Sequence, residues 1–216
     1  MKRQSAVIFK GLRAHFQTRR GRGGKQRTIA PCGCCQMEQN CYAIAAFRYL
    51  FKKEGDIKRV IELGTGEGGL SQFLKDECSR RQISFRTFEA YPEKCSACEK
   101  HGFISELIPN DEKVGELIGQ KGRTILLIDS GNKAADIAKF APYLKDKDVV
   151  MGHDYAKDRT IGRYKLRNTG IWRSQGWFLS NIRDNGVIKN NNLEEFRPRV
   201  FWRAAWGAFI KNDKKH

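Results

Sequence analysis

The stretch "VIELGTGEGGLSQFL", Val60 to Leu74, decides the fold of this 216-residue chain. Its start is an apolar run typical of a short buried strand, and its end has the apolar spacing of a helix. Between them stand four glycines within six residues, of which Gly64, Gly66 and Gly69 satisfy the spacing GxGxxG. Glu89 follows twenty residues after Gly69, at the end of a second predicted strand. Spacing alone therefore predicts a strand–turn–helix unit that binds a dinucleotide.

The charges near this turn favour a different ligand. Glu62 lies two residues before the first glycine and Glu67 lies inside the loop, whereas a pyrophosphate prefers backbone amides without competing negative charge. S-adenosylmethionine carries an ammonium, a sulfonium and only one carboxylate, so it suits the turn better than NAD does. We expect the helix amides to take its carboxylate, Glu62 to face its amino group and Glu89 to accept its ribose hydroxyls. The alternative is a tight turn without a ligand. The predicted cofactor contacts are Glu62, Gly64, Thr65, Gly66, Gly68, Gly69, Glu89 and Asp129.

Strands and helices alternate on both sides of the turn. Strands are predicted at residues 59–63, 83–91, 102–108, 123–130 and 148–155, and helices at residues 37–53, 69–81, 92–101 and 132–144. This alternation predicts an α/β fold with a doubly wound, Rossmann-like, mostly parallel sheet. Residues 199–212 are more strand-like than helical and are expected to form an antiparallel edge near the C-terminus.

The motifs resemble those of class I S-adenosylmethionine-dependent methyltransferases. "VIELGTGEGG" looks like their first motif and "FEAY" like their second. The likeness extends to the cephalosporin hydroxylase-like and rhamnosyl O-methyltransferase-like branch through four segments: "QMEQN" (Gln36–Asn40), Glu62 to Ser71, "IDS" (Ile128–Ser130) and "HDY" (His153–Tyr155). It covers residues 33–158, and Asn132 stands where the branch often has a histidine. The resemblance implies methyl transfer, with an oxygen of a hydroxylated small molecule or glycan as the expected acceptor.

Two acids, Asp129 and Asp154, each end a predicted strand, and a single helix joins these strands. We expect both at the carboxyl edge of the sheet, where converging carboxylates repel unless a cation or proton intervenes. Oxygen ligands favour Mg²⁺, Mn²⁺ or Ca²⁺, and in the related metal-dependent O-methyltransferases such a cation gathers substrate hydroxyls. Asp129 and Asp154 are therefore the predicted metal ligands, with His153 or Asn132 completing the shell, and His153 or Lys133 is the predicted general base. Alternatively, Asp129 caps the next helix or touches the cofactor.

Charge is distributed unevenly along the chain. The 41 Lys and Arg against 24 Asp and Glu give a net charge of +17, with +9 in residues 1–30 and +9 in residues 156–216. Residues 1–30 are expected to be a basic, flexible arm, and residues 31–216 a single methyltransferase-like domain whose part 156–216 faces the substrate. Basic segments attract polyanions, so a nucleic-acid-binding protein or a nucleic-acid methyltransferase is the alternative function.

No apolar run approaches the ~20 residues of a membrane span, and no signal-like apolar region begins the chain. We expect a soluble, cytoplasmic protein whose seven cysteines are reduced thiols, with structural zinc as the less favoured alternative. Of the four tryptophans, we expect most to be core residues, although basic and aromatic residues interleaved as they are here also suit stacking on bases or sugars.

Overall fold

The computed structural model describes residues 3–9, 12–20, 26–29, 36–37, 39, 42–90, 106–107, 110–155 and 186–213. For the four strands that precede residue 38 it describes the backbone only. The strands are β1 (Arg3–Phe9), β2 (Leu12–Arg20), β3 (Gln26–Ile29), β4 (Gln36–Met37), β5 (Ile57–Leu63), β6 (Ser84–Glu89), β7 (Glu106–Leu107), β8 (Arg123–Ile128), β9 (Val149–His153), β10 (Leu193–Glu195) and β11 (Trp206–Lys211). The helices are α1 (Tyr42–Lys53), α2 (Gly69–Ser79), α3 (Asp111–Gly119), α4 (Lys133–Phe140), α5 (Val187–Asn190) and α6 (Pro198–Phe201).

Seven strands form the main sheet in the order β10-β11-β9-β8-β5-β6-β7. Strand β11 pairs antiparallel with both of its neighbours, and the other pairings within this seven-stranded sheet are parallel. The predicted doubly wound, mostly parallel sheet is confirmed, with its antiparallel pairing at the C-terminal side. From β5 the chain moves outward through β6 and β7, then returns to β8 on the other side of β5. This reversal creates a crevice at the carboxyl ends of β5 and β8, which is where ligands bind in such sheets.

The centre of the sheet is apolar on both faces because helices cover both faces. Along β8, Ile125 and Leu127 belong to the core cluster under α1 and α2, whereas Leu126 and Ile128 belong to the cluster under α3 and α4. All four side chains are buried. This explains why "RTILLI" reads as a continuous apolar run rather than an alternating one.

Helix α3 is absent from the sequence prediction. Its signals are present: Asn110 caps the helix by accepting a hydrogen bond from Lys113 N at 3.1 Å, and Val114 and Ile118 are buried one turn apart. The helix is short and polar on its outer face, so its apolar spacing rests on few positions.

Two further segments differ from prediction. Within residues 199–212 the strand begins only at Trp206, after helix α6 and a 3-10 turn at Trp202–Ala204, because Pro198 favours a helix start and Ala205 turns the chain with φ 61°. Within residues 1–30 the structure has strands β1 to β3, which continue into β4 as an antiparallel sheet. The predicted helix at residues 92–101 lies outside the described residues.

None of the helices in the described part of the chain combines the length and the apolar character that crossing a bilayer requires.

Candidate functional site

Three central strands end side by side at the crevice. Leu63 of β5 is in register with Ile128 of β8, and Ile128 is in register with Gly152 of β9. The residues that directly follow these positions therefore come together at one edge of the sheet. They include Gly64, Asp129 and His153, which belong to the predicted cofactor, metal and catalytic sets.

Backbone hydrogen bonds hold the start of the glycine turn beside the ends of β6 and β8. Gly64 N donates to Phe88 O at 2.8 Å, and Asp129 N donates to Leu63 O at 2.8 Å. Gly64 has φ 102°, and a Cβ placed there would lie 2.7 Å from the backbone carbonyl carbon of Asp129. Only glycine fits this position, because a side chain would collide with backbone atoms in a conformation that L-residues disfavour.

Helix α2 starts directly after the turn. Its N-cap residue, Gly68, has φ 81° and offers no side chain to the helix amides. By contrast, α3 and α4 are each capped by an asparagine side chain, Asn110 and Asn132. The amino end of α2 thus keeps the favourable electrostatics for an anionic group such as a carboxylate.

Glu62 lies beneath the turn and is 1% exposed. Its Oε2 accepts a hydrogen bond from Thr87 Oγ1 at 2.6 Å and another from Ser71 Oγ on α2. Thr87 also bonds Thr65 of the turn, with 2.6 Å between the two hydroxyl oxygens. Burial, with smaller contributions from the carboxylates of Asp129 and Glu89, raises the pKa of Glu62 to about 8 despite the two hydroxyl donors. A cation placed beside Glu62 would favour its ionised form.

Glu89 lies at the end of β6 and faces the glycine turn. Its Oε2 accepts from Gly66 N at 2.9 Å, and its Oε1 accepts from Ala90 N at 2.8 Å. A carboxylate therefore already occupies one of the amides that a pyrophosphate would use. Glu67 of the same turn is exposed. This local negative charge is unfavourable for a dinucleotide.

Asp129 and His153 form a hydrogen-bonded pair, with 3.0 Å between Asp129 Oδ1 and His153 Nδ1. Burial disfavours both charged forms, but each partner stabilises the charge of the other. As a result, the pKa of Asp129 lies below its ordinary value, with Lys133 contributing, and the pKa of His153 lies above its ordinary value, with Asp154 contributing. The imidazole also packs on the indole of Trp206, with 4.9 Å between ring centroids.

Lys133 and Asp154 complete the cluster. The Lys133 side chain is 3% exposed, and its Nζ lies 3.5 Å from Asp129 Oδ1 and 3.5 Å from Asp154 Oδ2. Asp154 has φ 58°, a left-handed conformation that aspartate tolerates better than most residues. Asn132, expected as a further ligand, instead caps α4 by accepting from Ala135 N at 3.2 Å.

Asp129, His153 and Asp154 have ligand atoms within 4.8 Å of one another, a spacing compatible with a metal ion. As they stand, these groups do not fit a divalent cation, because the ammonium of Lys133 contacts both carboxylates. The predicted metal ligands thus lie together, and a lysine is their partner.

Sequence reasoning missed the role of Gln39, which is buried. Its Nε2 donates to Asp129 Oδ2 at 3.3 Å, and its Oε1 accepts from Trp206 Nε1 at 2.9 Å. Trp206 is fully buried, as expected for a core tryptophan. Trp172, Trp177 and six of the seven cysteines lie outside the described residues, and Cys78 is a buried free thiol. The glutamine-containing segment was the only signal for Gln39, since its partners are 90 and 167 residues away.

No protein-family model matches the sequence, and no curated protein matches it. Solved structures do match the fold. One is the SAH-bound methyltransferase PaMTH1 of Podospora anserina, at 16% identity over 76% of each chain and a TM-score of 0.52. Another is cmcI with Mg and SAM, at 13% identity over 81% of this chain and 73% of that chain, with a TM-score of 0.53. A third is a candidate caffeoyl-CoA O-methyltransferase from Staphylococcus aureus, at 15% identity over 80% and 84% of the two chains and a TM-score of 0.53.

The chain has the fold of these methyltransferases. In this methyltransferase fold the glycine turn after β5 and the acid that ends β8 share the crevice described above. At these identities the likeness shows the fold alone.

Proposed function

We propose that the protein is an S-adenosylmethionine-dependent methyltransferase that methylates a hydroxyl of a small molecule or glycan. The observation that carries the proposal is the Asp129–His153 pair, which lies at the carboxyl edge of the sheet beside a glycine turn bordered by carboxylates. A base and a cofactor turn within one crevice are what methyl transfer to a hydroxyl needs.

The residues around the turn fit the cofactor by charge. The uncapped amino end of α2 suits a carboxylate, Glu62 suits an ammonium, and Glu89 has the acceptor oxygens that a ribose diol requires. Thr65, Gly66 and Gly69 supply the backbone between these groups. When bound, S-adenosylmethionine supplies an electrophilic methyl group. Its sulfonium sulfur is the leaving group and becomes a neutral thioether.

His153 is the proposed general base. Its Nδ1 faces Asp129 and carries the proton of that hydrogen bond, which leaves Nε2 as the nitrogen that takes the proton of the acceptor hydroxyl. Asp129 holds the tautomer and stabilises the imidazolium that forms. The hydroxyl proton of the acceptor would move to His153 Nε2, while the cofactor would supply the methyl group to the oxygen and keep the sulfur as a thioether. Asp129 is therefore proposed to orient His153 and also to line the cofactor crevice.

Isothermal titration with S-adenosylmethionine and with NAD tests the cofactor assignment. We expect binding of the first only, and an affinity loss of at least about tenfold in Glu89→Gln, because a neutral amide is a weaker acceptor for two hydroxyls. Glu194→Gln is the control, since Glu194 is exposed on the edge strand β10. Tight binding of NAD without binding of S-adenosylmethionine would overturn the proposal.

A panel of hydroxylated acceptors tests the reaction itself. We expect product with the wild-type protein and a loss of turnover of about 100-fold or more in His153→Gln, which keeps a polar side chain but cannot take up the proton. Cofactor affinity should stay within about threefold of wild type in the same variant, so that the loss is assigned to chemistry rather than to binding.

A further inference from the structure

Lys133 takes a position between the two acids at the ends of β8 and β9. Its Nζ lies 3.5 Å from one oxygen of Asp129 and 3.5 Å from one oxygen of Asp154, and it donates to Ser130 O at 2.9 Å. The side chain is 3% exposed, so solvent does little to screen these contacts. The three N–H groups of the ammonium thus face three acceptor oxygens.

The remaining oxygens of the cluster also face protein donors. Asp129 Oδ2 accepts from Gln39 Nε2 at 3.3 Å, while Asp129 Oδ1 faces His153 Nδ1 at 3.0 Å. Asp154 Oδ1 lies 3.6 Å from the same Nδ1. Because Nδ1 lies between two carboxylates, it acts as a donor and offers no lone pair to a metal. Each carboxylate oxygen of Asp129 and Asp154 thus already lies beside an N–H group of the chain.

A divalent cation would conflict with this arrangement. It needs carboxylate oxygens at about 2.0–2.6 Å, which would place it in the same gap between Asp129 and Asp154 that the ammonium bridges. The added charge would repel Lys133 in a buried setting where electrostatic effects are large. Binding would therefore require Lys133 to leave or to lose its proton.

The geometry points to Lys133 as an internal cation that takes the place of a divalent metal ion in this site. Lys133 is a positioning residue: it holds Asp129 and Asp154 together, and Asp129 in turn orients His153. The inference deepens the proposed function, on which its catalytic consequence rests. That consequence concerns the substrate class, because a site without a metal does not need an acceptor with two adjacent oxygen ligands. A substrate with a single hydroxyl should be methylated as readily as a vicinal diol.

Binding of Mn²⁺, followed by electron paramagnetic resonance, tests the inference without any turnover. The wild-type protein should show no bound Mn²⁺ up to about 1 mM, a range that covers ordinary carboxylate sites. In Lys133→Ala, the buried carboxylate of Asp154 and the half-buried carboxylate of Asp129 lose their partner, and Mn²⁺ affinity should rise at least about tenfold. Adding Asp154→Asn to Lys133→Ala should abolish that gain. Lys139→Ala is the matched control, since Lys139 lies on the same helix but is 43% exposed and pairs with Asp111.

Three outcomes would overturn the inference. The first is Mn²⁺ binding by the wild-type protein that Asp129→Asn or Asp154→Asn removes. The second is a folded Lys133→Ala variant that gains no affinity for Mn²⁺, and the third is a gain of equal size in Lys139→Ala. If Lys133→Ala does not fold, Lys133→Gln, which is neutral and of similar length, takes its place in the same measurement.

A turnover assay with and without EDTA tests the catalytic consequence. Equal rates with EDTA, and comparable rates on single-hydroxyl and vicinal-diol acceptors, are expected; a rate that EDTA abolishes and Mg²⁺ restores would contradict the inference. Failure of the proposed function would instead show as absent binding of S-adenosylmethionine, with the Mn²⁺ results unchanged.

Discussion

At the scale of a single residue, Glu62 makes the stability of the folded protein depend on pH. Its pKa is raised from 4.5 to about 8, so the folded chain retains a proton that the unfolded chain releases above about pH 4.5. The raised pKa therefore makes the folded state less stable as the pH increases from about 4.5 to about 8. The hydroxyl donors of Ser71 and Thr87 reduce this cost without removing it.

Glu62→Gln should flatten the dependence of the free energy of unfolding on pH, because glutamine has no proton to lose. We expect the variant to gain stability relative to wild type at about pH 8 and to differ little at about pH 5. Urea denaturation across this range is the measurement. Parallel profiles for the two proteins would show that Glu62 has an ordinary pKa.

Proton release should accompany cofactor binding if Glu62 faces an ammonium. At pH 7, most Glu62 side chains are protonated in the ligand-free chain, and an adjacent cation favours the carboxylate. Titration calorimetry in buffers of different ionisation enthalpy counts these protons. Wild type should release more protons than Glu62→Gln does; equal counts would place the ammonium elsewhere.

His153 should titrate above its ordinary pKa of 6.5, because Asp129 and Asp154 stabilise the imidazolium more than burial disfavours it. Its midpoint, followed by NMR of the imidazole, should fall in Asp129→Asn. The other three histidines of the chain are internal references. Since only the neutral imidazole accepts a proton, turnover should rise with pH through the same midpoint. A midpoint unchanged by Asp129→Asn would show that Asp129 does not stabilise the protonated form of His153.

Gly64→Ala should destabilise the fold by about 3 kcal/mol, because the new Cβ meets the backbone of Asp129 in a left-handed conformation. Gly66→Ala is the matched control: it also has positive φ, 52°, but a Cβ at this position would have no heavy atom within 4 Å. It should cost only about 1 kcal/mol. Chemical denaturation compares the two, and equal losses would mean that the close approach at Gly64 is unimportant.

At the scale of elements, the asparagine caps of α3 and α4 should contribute equally to stability but differently to activity. Asn110 and Asn132 each accept a hydrogen bond from an amide of the first turn, so Asn110→Ala and Asn132→Ala should each cost about 1 kcal/mol in unfolding free energy. Lys133 is the first residue of α4, directly after the Asn132 cap, and α3 has no residue in the candidate site. Only Asn132→Ala should therefore also lower turnover. If both variants lose turnover equally, the effect reflects general stability.

Helix α2 differs from α3 and α4 at its amino end. Its amino end has no side-chain cap, and it follows the glycine turn directly. An uncapped helix end is less stable on its own, so the expected gain from a ligand anion is greatest there.

At the scale of the whole molecule, the net charge of +17 remains the feature that the proposed chemistry does not use. Much of the C-terminal basic segment, residues 156–185, lies outside the described residues. In the N-terminal sheet, Arg19 of β2 is in register with Arg27 of β3, so two basic residues stand opposite each other. Like charges at such positions are unfavourable unless an anion lies nearby. Polyanion binding stays a prediction.

Arg19→Gln combined with Arg27→Gln should reduce the salt dependence of binding to single-stranded RNA. Each phosphate contact contributes about 0.7 to the slope of log affinity against log salt, so the slope should fall by about 1.4. Lys52→Gln with Lys53→Gln, at the exposed end of α1, is the control. RNA binding that is absent or independent of salt would remove the nucleic-acid alternative.

The sequence by itself determined the central elements. The glycine turn, β5, β6, β8, β9, α2 and α4 follow from apolar period, turn residues and chain order, all of which are local. It also placed Glu62, Glu89, Asp129 and Asp154 correctly at strand ends, because the carboxyl ends of parallel strands share one edge. Helix α3 and the strands in residues 1–30 were missed, since their local signals are weak or interrupted by basic residues.

Only the tertiary structure decided which side chains pair. The position of Lys133 between Asp129 and Asp154 depends on how α4 packs beside β8 and β9. The contact from Gln39 to Trp206 joins residues 167 positions apart. Such pairings are set by sheet order and by helix packing, because spacing along the chain does not fix the distance between side chains on different elements.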